Sequence, residues 1–129
     1  MNIFAILVVT LVEFFLGFLW YSKIVFGNLF LKHLGKNQDE IQMKPLDGIL
    51  SVVSSFLTFL FFAVILDLLG SFDLVISLLL AVVIWVGFIV TSNYYGVIYE
   101  GRNKMLFLIF VLYKLVGLLI GALILGLWQ

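Results

Sequence analysis

Four long apolar stretches, separated by short polar ones, dominate the pattern of hydrophobic and polar positions along the chain. An α-helix rises about 1.5 Å per residue, so about 20 apolar residues cross the roughly 30 Å hydrocarbon layer of a bilayer. Each stretch reaches about that length, which predicts four transmembrane helices. Their predicted bounds are residues 3–22, 46–69, 74–96 and 105–128.

The longest polar connection, residues 24–44, has a helical pattern of its own. Its apolar positions fall on one face and its polar positions on the other, as is typical of a helix lying in the membrane interface. Gly35 is predicted to end this helix, and Asn37 to cap a second short piece with Asp39 and Glu40 in its first turn. We interpret the segment as an amphipathic connector, with a lipid-sensing element as the alternative. The apolar face consists of Phe26, Leu29, Phe30 and Leu34, and the polar face of Asn28, Lys32 and Lys36.

The remaining connections are too short to join anything but antiparallel neighbours. The predicted fold is an all-α integral membrane protein: four transmembrane helices in a compact antiparallel bundle, with a short amphipathic interfacial helix between helices one and two. Residues 1–129 are expected to form this single domain. A cleaved signal peptide is the alternative for the first stretch, but Glu13 lies inside it and no lysine or arginine precedes it.

Composition supports a membrane protein and narrows the function classes. Hydrophobic residues make up 65% of the chain and charged residues 11%, and the mean hydropathy is +1.32. The formal net charge is +0, so the chain has no net electrostatic field that would attract nucleic acid. The chain has no cysteine, which excludes disulfides and thiolate metal sites. No nucleotide-binding or metalloprotease motif is present, so we expect no enzymatic activity and no cofactor.

The lysines and arginines outside the predicted spans all lie on one side of a four-span topology, in residues 23–45 and 97–104. By the positive-inside rule both of these loops are predicted to be cytoplasmic. The two termini and the connection that contains Asp67 and Asp73 are then predicted to lie outside the cytoplasm.

Two charges interrupt the apolar stretches near the predicted bilayer midplane: Glu13 in helix one and Lys114 in helix four. An ionised side chain at that depth costs about 2.5–3.5 kcal/mol, so each should face the bundle and find a partner. A mutual ion pair that fixes the neighbouring helices is the leading hypothesis. The alternatives are a proton- or ion-coupling site, and a Lys114 that extends to the interface without contacting Glu13.

Small and polar side chains are predicted to line the faces on which helices meet. Four hydroxyls recur at helical spacing on helix two, and we favour a packing face over a pore lining for them. His33 is interpreted as an ordinary interfacial histidine. The predicted packing residues are Gly17, Gly117, Gly121, Ser51, Ser54, Ser55 and Thr58, and a polar path through the membrane would use Thr10, Thr91, Asn93 and Tyr113.

Several short motifs, taken in order, resemble a known family across essentially the whole chain. They are Gly17–Ser22 (GFLWYS), Phe26–Gly27, Leu34–Gly35, Glu100–Arg102 (EGR) and Gly121–Trp128 (GALILGLW). This order is similar to that of the small bacterial membrane proteins grouped as domain of unknown function 1761. The resemblance implies a four-helix protein of the bacterial plasma (inner) membrane and carries no known activity. Glu13 and Lys114 are not part of the resemblance.

Two function hypotheses follow. The first is a structural or accessory protein that forms homo-oligomers in the lipid bilayer, because small-residue faces are left for pairing. The second is a small oligomeric transporter or ion channel that uses Glu13 and Lys114 as its coupling site. The sequence does not decide between them, nor does it give the helix order.

Overall fold

A computed structural model describes residues 2–36, 44–70 and 73–128 of the chain. These residues form six α-helices and one π-helical stretch, Trp85–Val90, which joins the fourth helix to the fifth. The helices are α1 (Ile3–Trp20), α2 (Gly27–Leu34), α3 (Pro45–Leu68), α4 (Leu74–Ile84), α5 (Thr91–Tyr99) and α6 (Lys104–Leu127).

Four helical spans are long and apolar enough to cross a membrane. They are α1, α3, the continuous span from α4 through α5, and α6, with 18, 24, 26 and 24 residues. Large apolar side chains such as Phe4, Phe15 and Phe61 are exposed on their outer faces, as expected of surfaces that contact lipid instead of water. The predicted fold class, an all-α chain with four apolar spans and a further short helix, is confirmed.

The helix order, which the sequence did not give, follows from the contacts between elements. α6 packs against α1 on one side and against α4, the π-helical stretch and α5 on the other, while α3 packs against α1. α6 also contacts the short helix α2. Trp20, at the end of α1, lies beside Ile109 near the start of α6, so these two helices run antiparallel. α6 is therefore the central helix of the bundle.

The main apolar core fills the end of the bundle that lies away from α2, while Phe107, Ile109 and Val111 of α6 are also buried nearer α2. On α1 the fully buried positions end at Glu13, and on α3 they begin at Ser55. Towards the α2 end beyond these two residues, the side chains of both helices are half-buried or exposed. The Glu13 carboxylate therefore lies at the edge of this main core. That core includes Ile6, Val9, Phe59, Phe62, Ala63, Leu66, Ala81, Leu118, Ala122 and Leu125.

Local chemistry explains where several helices begin and end. The Asn2 Oδ1 atom accepts hydrogen bonds from the backbone amides of Phe4 and Ala5, which satisfies two otherwise free donors at the start of α1. Pro45 occupies the first turn of α3, where its missing N–H costs nothing. Gly35 has a φ angle of 76° and ends α2, as the sequence predicts.

The third span differs most from its predicted form. It extends to Tyr99 instead of ending at residue 96, and it is interrupted by the π-helical stretch. α1 ends at Trp20 instead of residue 22, because the chain turns there and the Phe26 amide donates to the Trp20 carbonyl. α3 and α6 each begin and end one residue before the predicted bounds. The predicted cap at Asn37, with Asp39 and Glu40, lies outside the described residues.

Candidate functional site

Glu13 and Lys114, the two charges inside the spans, lie in contact within a single chain. The Lys114 Nζ atom is 2.7 Å from the Glu13 Oε1 atom, across the interface between α1 and α6. The Glu13 side chain is 4% exposed and the Lys114 side chain 24% exposed. The carboxylate is therefore enclosed by protein, whereas part of the Lys114 side chain is exposed.

Two glycines create the space in which this contact forms. A Cβ atom on Gly117 of α6 would lie 3.4 Å from the Glu13 Cδ atom, and one on Gly17 of α1 would lie 3.0 Å from the Tyr113 hydroxyl. That hydroxyl donates a 2.9 Å hydrogen bond to the Glu13 backbone carbonyl. α1 and α6 can approach closely here because neither helix carries a bulky side chain at the crossing.

The aromatic rings around Lys114 offer its ammonium group a second kind of contact. The Lys114 Nζ atom lies 5.2 Å from the centre of the Tyr113 ring and 5.8 Å from that of Phe110. Both distances are within the range over which a cation is attracted to an aromatic face.

Two tryptophans hold the part of α6 that precedes Lys114. The Trp20 indole donates to the Ile109 carbonyl at 2.9 Å, and the Trp85 indole donates to the Val111 carbonyl at 2.6 Å. The donors come from α1 and from the π-helical stretch, so they approach α6 from its two packed sides. Sequence reasoning did not identify these bonds.

Tyr21, just beyond the end of α1, extends the aromatic contacts towards the α2 end. Its ring packs edge-on against Phe30 of α2 and against Tyr113, with centroids 4.9 and 6.0 Å apart. Burial raises the pKa of Tyr21 to about 12, so its hydroxyl stays protonated at physiological pH.

The remaining predicted packing residues do not share one interface. Gly121 lies against the ring of Phe59 of α3, not against α1. On the hydroxyl face of α3 only Ser55 is fully buried, whereas Ser51 and Ser54 are exposed. The Thr58 hydroxyl donates to the Ser54 carbonyl of its own helix.

The residues of the predicted polar path are divided between two depths. Thr10 is buried one turn from Glu13, and its hydroxyl donates to the Ile6 carbonyl. Thr91 and Asn93 lie on α5, where both side chains donate to carbonyls of their own span. The neighbouring Tyr94 packs against Phe107, about two helical turns along α6 from Lys114. The path residues therefore do not form one cluster with Glu13.

His33 lies at the surface of α2, where its Nδ1 atom is 3.5 Å from the Asn103 Nδ2 atom. Asn103 also caps α6 by accepting from the Met105 amide at 2.8 Å. This is a peripheral contact between α2 and the start of α6.

The chemistry available at the site is that of an enclosed carboxylate whose charge is balanced by a lysine ammonium group. Neither the curated proteins nor the solved structures include a match to this chain. A family model, described as "Protein of unknown function (DUF1761)", matches residues 4–126. With that match and the four apolar spans, the resemblance seen in the sequence motifs is confirmed: the chain belongs to the DUF1761 family.

Proposed function

We propose that the protein is a structural or accessory protein of the bacterial plasma membrane, without enzymatic activity, which acts as a homo-oligomer. In this proposal the Glu13–Lys114 pair organises the bundle. The observation that supports this proposal is the 2.7 Å contact between the buried Glu13 carboxylate and Lys114 of the central helix. Either charge would be costly against an apolar helix, so the pair favours α1 and α6 as neighbours over other arrangements.

The third span offers a surface for a second copy. Only 11% of its apolar window is buried inside the chain, against 39% for α6. A Cβ atom on Gly87 would have no atom within 4 Å, and Thr91, one turn further, is exposed. Small residues four positions apart let another helix approach closely. We therefore expect Gly87 and Thr91 to lie at the interface between copies.

The experiment is a mass measurement on the full chain in lipid nanodiscs. The wild type should have the mass of a dimer or a larger oligomer, and Gly87→Leu should reduce it. Gly48→Leu is the matched control, because a Cβ atom on Gly48 also meets nothing within 4 Å but that residue lies on α3. A monomeric wild type would rule out the homo-oligomer.

A small transporter or ion channel is the second candidate, favoured by one observation. The Lys114 side chain is 24% exposed while that of its partner Glu13 is 4% exposed, so an ion that enters the site would meet the lysine before the carboxylate. In an oligomer such a site could couple the movement of an ion to the pairing of the two charges.

Flux measurements in proteoliposomes test this candidate. Glu13→Gln should abolish a pH-dependent ion flux and leave the oligomer mass unchanged. Glu100→Gln is the control, because Glu100 is exposed and its carboxylate pairs with Arg102, at 3.5 Å, and with no other described side chain. If the wild type shows no flux under any imposed gradient, the transport candidate fails and the structural proposal stands.

A further inference from the structure

We propose that the protein binds anionic phospholipids in preference to zwitterionic ones, through a basic surface at its α2 end. This inference is independent of the oligomer and of transport, because it concerns which lipids contact the chain. The basic surface consists of four exposed residues from the end of α2 and the start of α6. They are Lys32, Lys36, Arg102 and Lys104.

The contact between His33 and Asn103 brings the two parts of the basic surface together. The His33 Nδ1 atom of α2 is 3.5 Å from the Nδ2 atom of Asn103, the residue that caps α6. Lys32 is the chain neighbour of His33, and Lys104 is the chain neighbour of Asn103. The two lysines therefore lie on adjoining parts of the same end of the bundle.

An aromatic contact holds α2 in this position. The Phe30 ring of α2 packs edge-on against Tyr21, with ring centroids 4.9 Å apart, and α2 also contacts α6. A helix this short is not stable on its own and depends on such packing. Because α2 is attached through its apolar face, Lys32 and Lys36 are left exposed.

Exposed apolar side chains beside the lysines indicate that this end lies in the membrane interface. Ile24 is 84% exposed and Val25 is 40% exposed, in the turn between α1 and α2. Apolar side chains next to lysines suit the boundary between acyl chains and headgroups. There a lysine can keep its ammonium group among the lipid phosphates while its aliphatic part contacts the apolar layer.

Most of the positive charge on the basic surface is unopposed. Glu100 pairs with Arg102 at 3.5 Å. The three lysines of the surface form no ion pair with any residue that the structure describes. Clusters of about four to eight basic residues next to a transmembrane helix attract anionic headgroups. A zwitterionic headgroup has no net charge to balance these lysines.

The two ends of the bundle differ in charge, which favours anionic lipid at the α2 end alone. Residues 23–47 and 97–104 contain six lysines and arginines against four carboxylates. Residues 67–73, at the other end, contain two carboxylates and no lysine or arginine. We therefore expect the preference to arise in the leaflet that contains α2.

The test measures lipid binding to the full chain in bilayers of phosphatidylcholine. Spin-labelled phosphatidylglycerol and spin-labelled phosphatidylcholine are added separately, and electron paramagnetic resonance gives the fraction of each probe that the protein immobilises. At low salt the anionic probe should bind about fivefold more tightly than the zwitterionic one. High salt should bring the two affinities close together, because it screens exposed charges.

Variants locate the preference on the basic surface. Lys32→Gln combined with Lys104→Gln should reduce it to about twofold or less, whereas arginine at the same two positions should preserve it. Lys23→Gln combined with Lys44→Gln is the matched control and should keep the wild-type preference. It removes the same charge from exposed positions, but these lie before α2 and at the start of α3.

Three results would overturn the proposal: equal binding of the two probes to the wild type, a preference that high salt leaves unchanged, or equal losses in the two double glutamine variants. The last result would mean that the net charge of this end, and not the basic surface, attracts the lipid. The immobilised fraction of the zwitterionic probe shows whether each variant retains its lipid-facing surface. All the substituted lysines are exposed, so we expect that fraction to remain constant.

Discussion

Each buried glycine of α6 faces a different neighbouring group. That neighbour determines the effect of a substitution at the glycine. Gly117 faces the carboxylate of Glu13, and Gly121 faces the ring of Phe59. Four residues along a helix turn its surface by a little more than one full turn, so two glycines at this spacing need not contact the same neighbour. At Gly87, by contrast, the space beside the backbone is open.

Gly121→Ala should destabilise the fold, because the added methyl group would overlap the Phe59 ring. Overpacking of this kind costs about 1–3 kcal/mol. Gly48→Ala is the control, because a Cβ atom on Gly48 meets nothing within 4 Å. It should be neutral or stabilising, by up to about 1 kcal/mol, since alanine favours a helix over glycine. The measurement is equilibrium unfolding in mixed lipid and sodium dodecyl sulfate micelles. Equal effects of the two substitutions would contradict the assigned Phe59 contact.

Counting along the helices was enough to predict the similar depths of Glu13 and Lys114. It could not reveal what else surrounds them, because the rotation of each helix depends on packing with its neighbours. Ser55 is buried while Ser51 and Ser54 of the same predicted face are exposed. The bond from the Tyr113 hydroxyl to the Glu13 carbonyl likewise depends on how closely the backbones approach at Gly17.

At the scale of single elements, α6 is held by side-chain donors that bond to its backbone. The indoles of Trp20 and Trp85 donate hydrogen bonds to the Ile109 and Val111 carbonyls, which lie shortly before Lys114. The π-helical stretch begins at Trp85, and a π turn changes the rotation of every residue that follows it. Hydrophobic periodicity could not predict this stretch, because its sequence is apolar on all sides.

Trp85→Phe should lower the free energy of unfolding by about 0.5–1.5 kcal/mol through loss of the hydrogen bond to Val111. Hydrogen exchange of the α6 amides near Lys114 should become faster. Trp128→Phe is the control, since Trp128 lies 44% exposed beyond the end of α6 and its replacement should change neither quantity. Unaltered exchange in Trp85→Phe would mean that the indole does not hold α6.

For the whole molecule, pattern and composition predicted the number of spans and the fold class. Four apolar stretches of this length leave few alternatives in a chain of 129 residues. The helix order was not predictable, because each apolar helix can pack against any other with similar energy. The order found here has α6 between α1 and the third span, which brings Lys114 to Glu13.

The orientation across the membrane remains a prediction from the positive-inside rule. The chain has no cysteine, so single cysteines can be introduced and labelled in intact cells with a reagent that does not cross the membrane. Leu69→Cys, at an exposed position after α3, should be labelled from outside. Lys36→Cys, exposed after α2, should react only after the cells are opened. The reverse pattern would invert the topology.

The coupling free energy between Glu13 and Lys114 tests the central claim most directly. It is obtained from the unfolding free energies of wild type, Glu13→Gln, Lys114→Met and the double variant. Removing either partner alone should cost about 3–5 kcal/mol, because the other charge is left without compensation in the interior. The double variant should recover part of that loss, with a coupling of about 0.5–3 kcal/mol. Strictly additive single losses would contradict the claim that this pair organises the bundle.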